Sequence, residues 1–358
     1  MQSFLQLVAH DLYAKIGNDL SRTALIFPNK RANLFFNEYL AGESDQPIWS
    51  PAAMSISDLF QKLSVQKSGD PIRLVCELYK VFKEETQSQE TLDDFYFWGE
   101  LLISDFDDVD KNMVDADKLF SNLQDLKNLM DDYEFLDKEQ EEAIQQFFQN
   151  FSIERRTELK EKFISLWDKL GTIYHHYREN LTELGIAYEG MLYRNVIEQL
   201  DTDQLKYDKY IFVGFNVLNK VENEFFRKLK DAGKALFYWD YDIFYTQQIR
   251  KHEAGEFLKR NLGEFPNELP ESFFDTFKEP KKIRYISAST ENAQARFLPE
   301  WIKMITDNHS QIAEEKEKEN AVVLCNEALL LPVLHSIPQE VKNVNITMGF
   351  PLAQTPIY

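Results

Sequence analysis

The run ALIFPNKRANLFFNEYL, residues 24–40, decides how the rest of the chain is read. It opens with four apolar residues, Ala24-Leu25-Ile26-Phe27, which Pro28-Asn29 stop. Leu34, Phe35, Tyr39 and Leu40 then recur at helical spacing. A short buried strand, a sharp turn and an amphipathic helix make half of a βαβ unit. Lys30 and Arg31 fall at the turn, where open parallel sheets present their ligands. A similar apolar run, YIFVGF, stands far downstream at 210–215. These two runs are expected to be strands of one sheet, with the long segment between them as an insertion.

Working outward, composition bounds the problem. The 358 residues are 44% hydrophobic and 14% aromatic, enough to fill a large core across two or three domains. Only 12 Gly and 12 Pro argue against a turn-rich all-β protein or a disordered chain. The balance of 40 Lys+Arg against 60 Asp+Glu gives a formal charge of -20. The surface as a whole is therefore no nucleic-acid footprint, since phosphate binding needs a local excess of positive charge. A local basic groove stays open. Cys76 and Cys325 read as buried thiols in a reducing compartment. The first residues lack a signal-peptide pattern, and no apolar run approaches the ~20 residues of a membrane helix. A soluble, cytoplasmic protein without a membrane partner is expected.

Phe4, Leu5, Val8, Leu12 and Ile16 form one apolar stripe, a first helix ended by Gly17-Asn18-Asp19. After the opening strand and helix, residues 53–56 suggest a second strand, with Ser57 as cap of a helix bearing Leu59, Phe60 and Leu63. Pro71 begins an all-helical span, 71–204. Its helical faces carry Leu74, Val75, Leu78 and Phe82; the aromatic run Phe95-Tyr96-Phe97-Trp98; Leu119, Leu123, Leu126 and Met130; and Ile144, Phe147, Phe148 and Phe151. Leu159, Phe163, Leu166, Leu170, Ile173, Tyr177, Leu181 and Leu184 then alternate spacings of four and three, a long helix with a narrow seam that Gly185 ends. The sheet resumes with 210–215, a helix bearing Val221, Phe225, Phe226 and Leu229, and the strand ALFYW at 235–239. The Pro-containing stretch 266–280 reads as a linker. Beyond it, strands are expected at 283–288, 321–325 and 344–347. Ser289 or Thr290 should cap a helix running past Trp301, the charged stretch 307–319 should be a surface loop or a frayed helix end, and another helix should span 328–336. The chain stops at Tyr358 without a closing helix, which suggests a piece of a longer protein.

Nucleotide chemistry finds no support in these motifs. A phosphate-cradling loop needs glycines and a Lys, and neither G-x-x-x-x-G-K-[ST] nor G-x-G-x-x-G occurs. The end of the 210–215 strand reads Gly214-Phe215-Asn216, with no carboxylate to hold Mg²⁺. Asp240 and Asp242 end the next strand and read as solvated turn acids. His175-His176 are adjacent on a helix and cannot form an i,i+4 metal pair. Two distant cysteines make no zinc spacing, and no G-x-S-x-G marks a nucleophile. No catalytic residue, cofactor site or metal site is expected. The many acids of the helical span read as a solvated face. The remaining lead is a set of polar loops at the strand ends. Lys30, Arg31, Asn216, Asn219, Lys220 and Arg296 are candidates for contacting a phosphodiester backbone, and ordinary surface residues are the plain alternative.

The order of parts resembles the superfamily I helicase plan of a RecA-like half, a helical insertion, a return to the sheet and a second RecA-like half. TALIFPNKRANLFFNEYLA, SISDLF, YIFVGFNVLNKVENEFFRKLKDAGKALFYWDYD and VNITMGFPLAQTPIY resemble segments of the inactivated helicase-like region of AddB/RexB-type helicase–nuclease subunits. Gly214-Phe215 and Met348-Gly349-Phe350-Pro351-Leu352 carry most of the likeness. The phosphate loop that family members often keep near the start is absent. The resemblance implies a RecA-like (P-loop NTPase-like) parallel sheet at 1–70 and 205–265, an all-helical insertion at 71–204, a linker at 266–280 and the start of a second RecA-like α/β domain at 281–358. It implies an ATPase-dead module for DNA repair and recombination that guides single- or double-stranded DNA and scaffolds an AddA-type partner subunit. A PD-(D/E)XK exonuclease domain would lie beyond Tyr358. The alternative is an acidic protein-interaction scaffold with no direct DNA contact.

Overall fold

The computed structural model describes residues 2–120, 156–246, 253–305, 320–349 and 351. They fall into two compact units, Met1–Glu279 and Pro280–Tyr358. No helix among the described residues is long and apolar enough to cross a membrane.

The first unit begins with α1 (Phe4–Ile16), capped by Ser3 and closed by Gly17 at φ 83°. Then come β1 (Thr23–Phe27), α2 (Ala32–Ala41), β2 (Ala52–Ser55) and α3 (Ile56–Leu63). Next are β3 (Lys67–Ser68), α4 (Pro71–Thr86), α5 (Leu92–Lys111), α6 (Arg156–Glu183), β4 (Ile186–Ala187) and α7 (Glu189–Gln199). The chain returns through β5 (Lys209–Val213), α8 (Lys220–Asp231) and β6 (Ala235–Tyr238), followed by α9 (Glu256–Glu264). The sheet is parallel throughout, in the order β2-β1-β5-β6. Register places Ala24 opposite Ala52 on one side and Tyr210 on the other. The two runs expected to share a sheet are therefore direct neighbours in it. The span 71–204, expected to be all-helical, contains the short strand β4, which pairs in parallel with β3 just ahead of that span.

Alternation along the strands builds two layers. Leu25, Phe27, Ile211, Val213 and Tyr238 face α1 and α2, meeting Val8, Leu12, Phe36 and Leu40. Ala24, Ile26, Tyr210, Phe212 and Phe237 face the other way, onto Phe60 of α3 and Val221, Phe225, Phe226 and Leu229 of α8. This second layer is continuous with the core of the helical insertion. Because α2 and α8 cover opposite faces, the winding reverses between β1 and β5, which makes their carboxyl ends the topological switch point of the sheet.

Several local expectations shift. The buried residues of α2 are Phe36 and Leu40; Leu34, at 69% exposed, and Phe35 face solvent. The helix starts at Ala32, so the face that meets β1 is set by the turn at Asn29 rather than by the densest apolar run. The cap of α3 is Ser55, in a capping box with Asp58, and not Ser57. The seam of α6 is buried at Leu170, Ile173, Tyr177 and Leu181, but Leu184 is exposed just before Gly185 turns the chain at φ 67°. The stretch 266–280 packs Leu269 and Phe274 against the sheet. Asp242 holds that stretch, accepting the backbone N–H groups of Phe244 (2.8 Å), Thr276 (2.9 Å) and Phe277 (2.8 Å). Burial works against its charge, yet these donors keep its carboxyl below the ordinary value, so Asp242 is an anchor and not a free turn acid.

The second unit holds α10 (Glu291–Arg296), α11 (Leu298–Ile305) and α12 (Leu330–Ser336). Thr290 caps α10, and the helix expected to run unbroken past Trp301 is interrupted at Phe297. Ala295, Leu298 and Val333 form a small core with Trp301, Ile302, Leu324 and Ile337. Residues 283–288, 321–325 and 344–347 are not strands. Strand propensity expresses packing on a pleated surface more than a backbone preference. Here that packing is one-sided: Leu324 meets the helices while Val323, Ile283 and Tyr285 stay exposed. Cys325, expected to be buried in a strand, is exposed, and Cys76 is half-buried. The expected helical positions Leu123, Leu126, Met130, Ile144, Phe147, Phe148 and Phe151, the charged stretch 307–319, Phe350 and residues 352–358 lie outside the described residues.

Candidate functional site

Three helices begin where parallel strands end, and their first turns crowd the carboxyl edge of the sheet. After β1, the Asn29 side chain accepts the backbone N–H groups of Arg31 (3.1 Å) and Ala32 (3.3 Å), turning the chain into α2. After β2, Ser55 and Asp58 cap α3 reciprocally. After β5, Asn219 and Glu222 do the same for α8. Each cap places a polar side chain beside positive helix-dipole ends.

The charges of this edge are largely matched. Lys30 Nζ lies 3.0 Å from Asp58 Oδ1. The Ser55 hydroxyl, followed by Lys30, holds the Asp58 carboxyl below its ordinary value. Lys111 of α5 reaches Asp107 (2.7 Å) and Glu189 (2.6 Å). Burial opposes its charge, but these two carboxylates outweigh burial and keep the ammonium above its ordinary value. Glu189 also accepts hydrogen bonds from Ser57 (3.2 Å) and Tyr193 (2.9 Å), which ties the insertion to α3. Burial raises the Glu222 carboxyl. Gly190 allows α5 and α7 to meet here: a Cβ at that position would stand 2.4 Å from the carbonyl oxygen of Asp107.

The chain's own side chains approach the switch point. Gly214, at φ 73°, turns the backbone after β5, and Phe4 of α1 stands 3.6 Å from where its Cβ would be. Phe215 is buried, and the Asn216 carbonyl accepts Asn261 Nδ2 at 2.6 Å.

The candidate residues divide accordingly. Lys30 is ion-paired, Asn219 is a cap, and the Asn216 main chain anchors α9. Arg31 and Lys220 are exposed in the first turns of α2 and α8, with no ion-pair partner among the described residues. Arg296 is exposed in the last turn of α10, in the second unit. Sequence reasoning passed over Asn33, the second residue of α2, whose buried Oδ1 has no hydrogen-bond partner among the described residues.

It also passed over a charged hub inside the helical insertion. Asp110, expected on a solvated acidic face, is fully buried. It accepts hydrogen bonds from Tyr174 (2.6 Å) and Tyr188 (2.5 Å), pairs with Arg178, and lies 3.3 Å from Arg194. Arg178 continues to Asn195 (2.9 Å), and Asn195 to Gln66 (2.7 Å). Burial, with the Asp110 charge beside it, pushes the Tyr174 phenol up to about 12 and raises that of Tyr188 as well. A cavity of about 430 Å³ opens beside the hub, walled by Tyr174, His175, Arg178 and Arg194 and rimmed by Asp115 and Glu198. Its charges are already engaged: Arg194 with Glu198, His175 with Asp117, and Asp115 with Lys118.

No family model and no curated protein matches the chain.

Proposed function

We propose that the chain is an ATPase-dead, RecA-like module of an AddB/RexB-type nuclease that processes DNA double-strand breaks, scaffolding a helicase partner subunit and guiding single-stranded DNA along the carboxyl edge of its sheet. One observation carries this reading. The segments that resemble the family, 23–41 and 210–242, lie on adjacent parallel strands and their strand-to-helix joints, with a helical insertion between β2 and β5. The joint after β5 offers Gly214-Phe215 where a nucleotide-hydrolysing relative needs an acid for Mg²⁺. Phe4 of α1 stands within van der Waals reach of that joint. DNA contact falls to Arg31 and Lys220, which add a guanidinium and an ammonium to the positive ends of α2 and α8.

Two phosphate contacts set a modest scale. The affinity for a single strand should fall with salt at a log–log slope of about -1.4. Fluorescence anisotropy of labelled oligo-dT across a salt series measures it. The variant Arg31→Ala/Lys220→Ala should lose most of that slope, and calorimetry with Mg-ATP should show no binding. Undetectable oligo-dT binding at low salt would remove the DNA reading. What would then stand is the acidic protein-interaction scaffold, which the carboxylate pairing of Lys30 and Lys111 and the formal charge of -20 favour.

A further inference from the structure

We propose that the solvent face of α5 docks a basic amphipathic helix of a partner protein. The inward face of α5 is spent on the insertion core, through Phe95, Gly99, Phe106, Val109 and Asp110. The opposite stripe should be polar in a helix that serves only its own fold. Instead it presents Phe97, 64% exposed, and Leu101, 43% exposed, four residues apart on one line. The Trp98 ring meets Phe97 edge-on at 5.9 Å, so the anchor is held as a preset aromatic pair. Exposed aromatic side chains of this kind are enriched at protein interfaces relative to the rest of a surface.

Charge selects the occupant. Asp93 lies one turn before the aromatic pair, and Asp105 and Asp108 lie one and two turns after Leu101. None of these three acids has a cationic partner among the described residues. Burial, and then the neighbouring Asp108, raise the Asp105 carboxyl, the direction expected of an acid with no cation beside it. An apolar centre with acids at both ends complements a helix that carries an apolar stripe flanked by Lys or Arg.

This inference rests on the scaffold part of the proposed function and not on its DNA contact. The test uses the full chain and a fluorescein-labelled Leu/Lys amphipathic helical peptide, with a Leu/Glu peptide of the same pattern as control. The Leu/Lys peptide should bind and the Leu/Glu peptide should not. Phe97→Asp/Leu101→Asp should weaken binding by at least about tenfold, the loss of an interface anchor. Leu34→Asp, at an exposed apolar residue on α2, should leave it unchanged. All these sites are exposed, and thermal melts of the variants check that the fold persists. Equal binding by the α5 double variant would show attraction to acidity in general, an equal loss in Leu34→Asp would show attraction to exposed apolar surface in general, and either would overturn the proposal, as would no binding at all. Oligo-dT anisotropy on the same α5 variant should match the parent chain, so failure of the DNA reading and failure of this one are separate results.

Discussion

The sheet and the helical insertion share one continuous core, yet they close it by opposite means. On the sheet side, Phe212 stacks with Phe237 at 5.5 Å and lies 3.9 Å from the Phe226 ring, with Phe265 and Trp239 completing an all-aromatic packing. On the insertion side, helices α5, α6 and α7 converge on the carboxylate of Asp110. Apolar packing tolerates a similar shape, whereas a buried charge tolerates only its own partners. The sheet should therefore lose stability in proportion to volume removed, and the insertion should fail when a single partner is removed.

Asp110→Ala should show the largest effect. It leaves the partly buried Arg178 without its carboxylate, strips Arg194 of one of its two, and takes the acceptor from the Tyr174 and Tyr188 hydroxyls, at a cost of about 3–5 kcal/mol in denaturant unfolding. Replacing Asp110, Arg178 and Arg194 together with apolar residues of similar volume should recover most of that loss. If the triple variant is as weak as the single one, the hub is not electrostatic. Phe212→Ala should cost about 3–5 kcal/mol, and a milder large-to-small change beside it, Ile211→Val, about 1 kcal/mol. A graded series there against an all-or-none response at Asp110 is the comparison in measurable form. Asn219→Ala, which removes the cap of α8, should cost about 1 kcal/mol.

The smallest effects belong to the carboxyl edge. Lys30 is largely exposed, so Lys30→Ala should change stability by no more than about 0.5 kcal/mol. Glu222 gives the edge a pH signature. Burial raises its carboxyl, so as pH rises the unfolded chain releases that proton first. Stability is lost from the ordinary Glu range up to the raised folded value. Glu222→Gln keeps an oxygen to accept the Asn219 N–H and carries no proton to lose. Melting temperatures measured from about pH 4 to about pH 7 should show the parent chain falling relative to this variant. Parallel curves would mean that the Glu222 environment does not burden its charge.

A second contrast lies between apolar runs of one kind. Residues 24–27 and 210–213 became paired strands with helices on both faces, whereas 283–288 and 321–325, equally rich in Val, Ile and Tyr, did not. β1 is buried at every position, and β5 at all but its first, because α1 and α2 cover one side while α3 and α8 cover the other. In the second unit the helices meet one side only.

What the residues determined unaided was local. Pro28-Asn29 marks a turn because ring closure and side-chain capping belong to single residues, whereas Gly214, read as part of the 210–215 strand, lies past the end of β5 at Val213. Thr290, Asn219, Gly17 and Gly185 mark helix ends for the same reason. That β1 and β5 share one parallel sheet was legible because two buried runs separated by a helical span have few other ways to meet; that they are direct neighbours came from the structure. Only the tertiary structure decided which stripe of α2 is buried, that Lys30 spends its charge on Asp58, and that one Asp in an acid-rich helix is the hub of the insertion. Tyr174 and Arg194, partners of Asp110, lie 64 and 84 residues away in sequence. Burial and ion pairing are properties of neighbours brought in from a distance, and no window along the chain contains them.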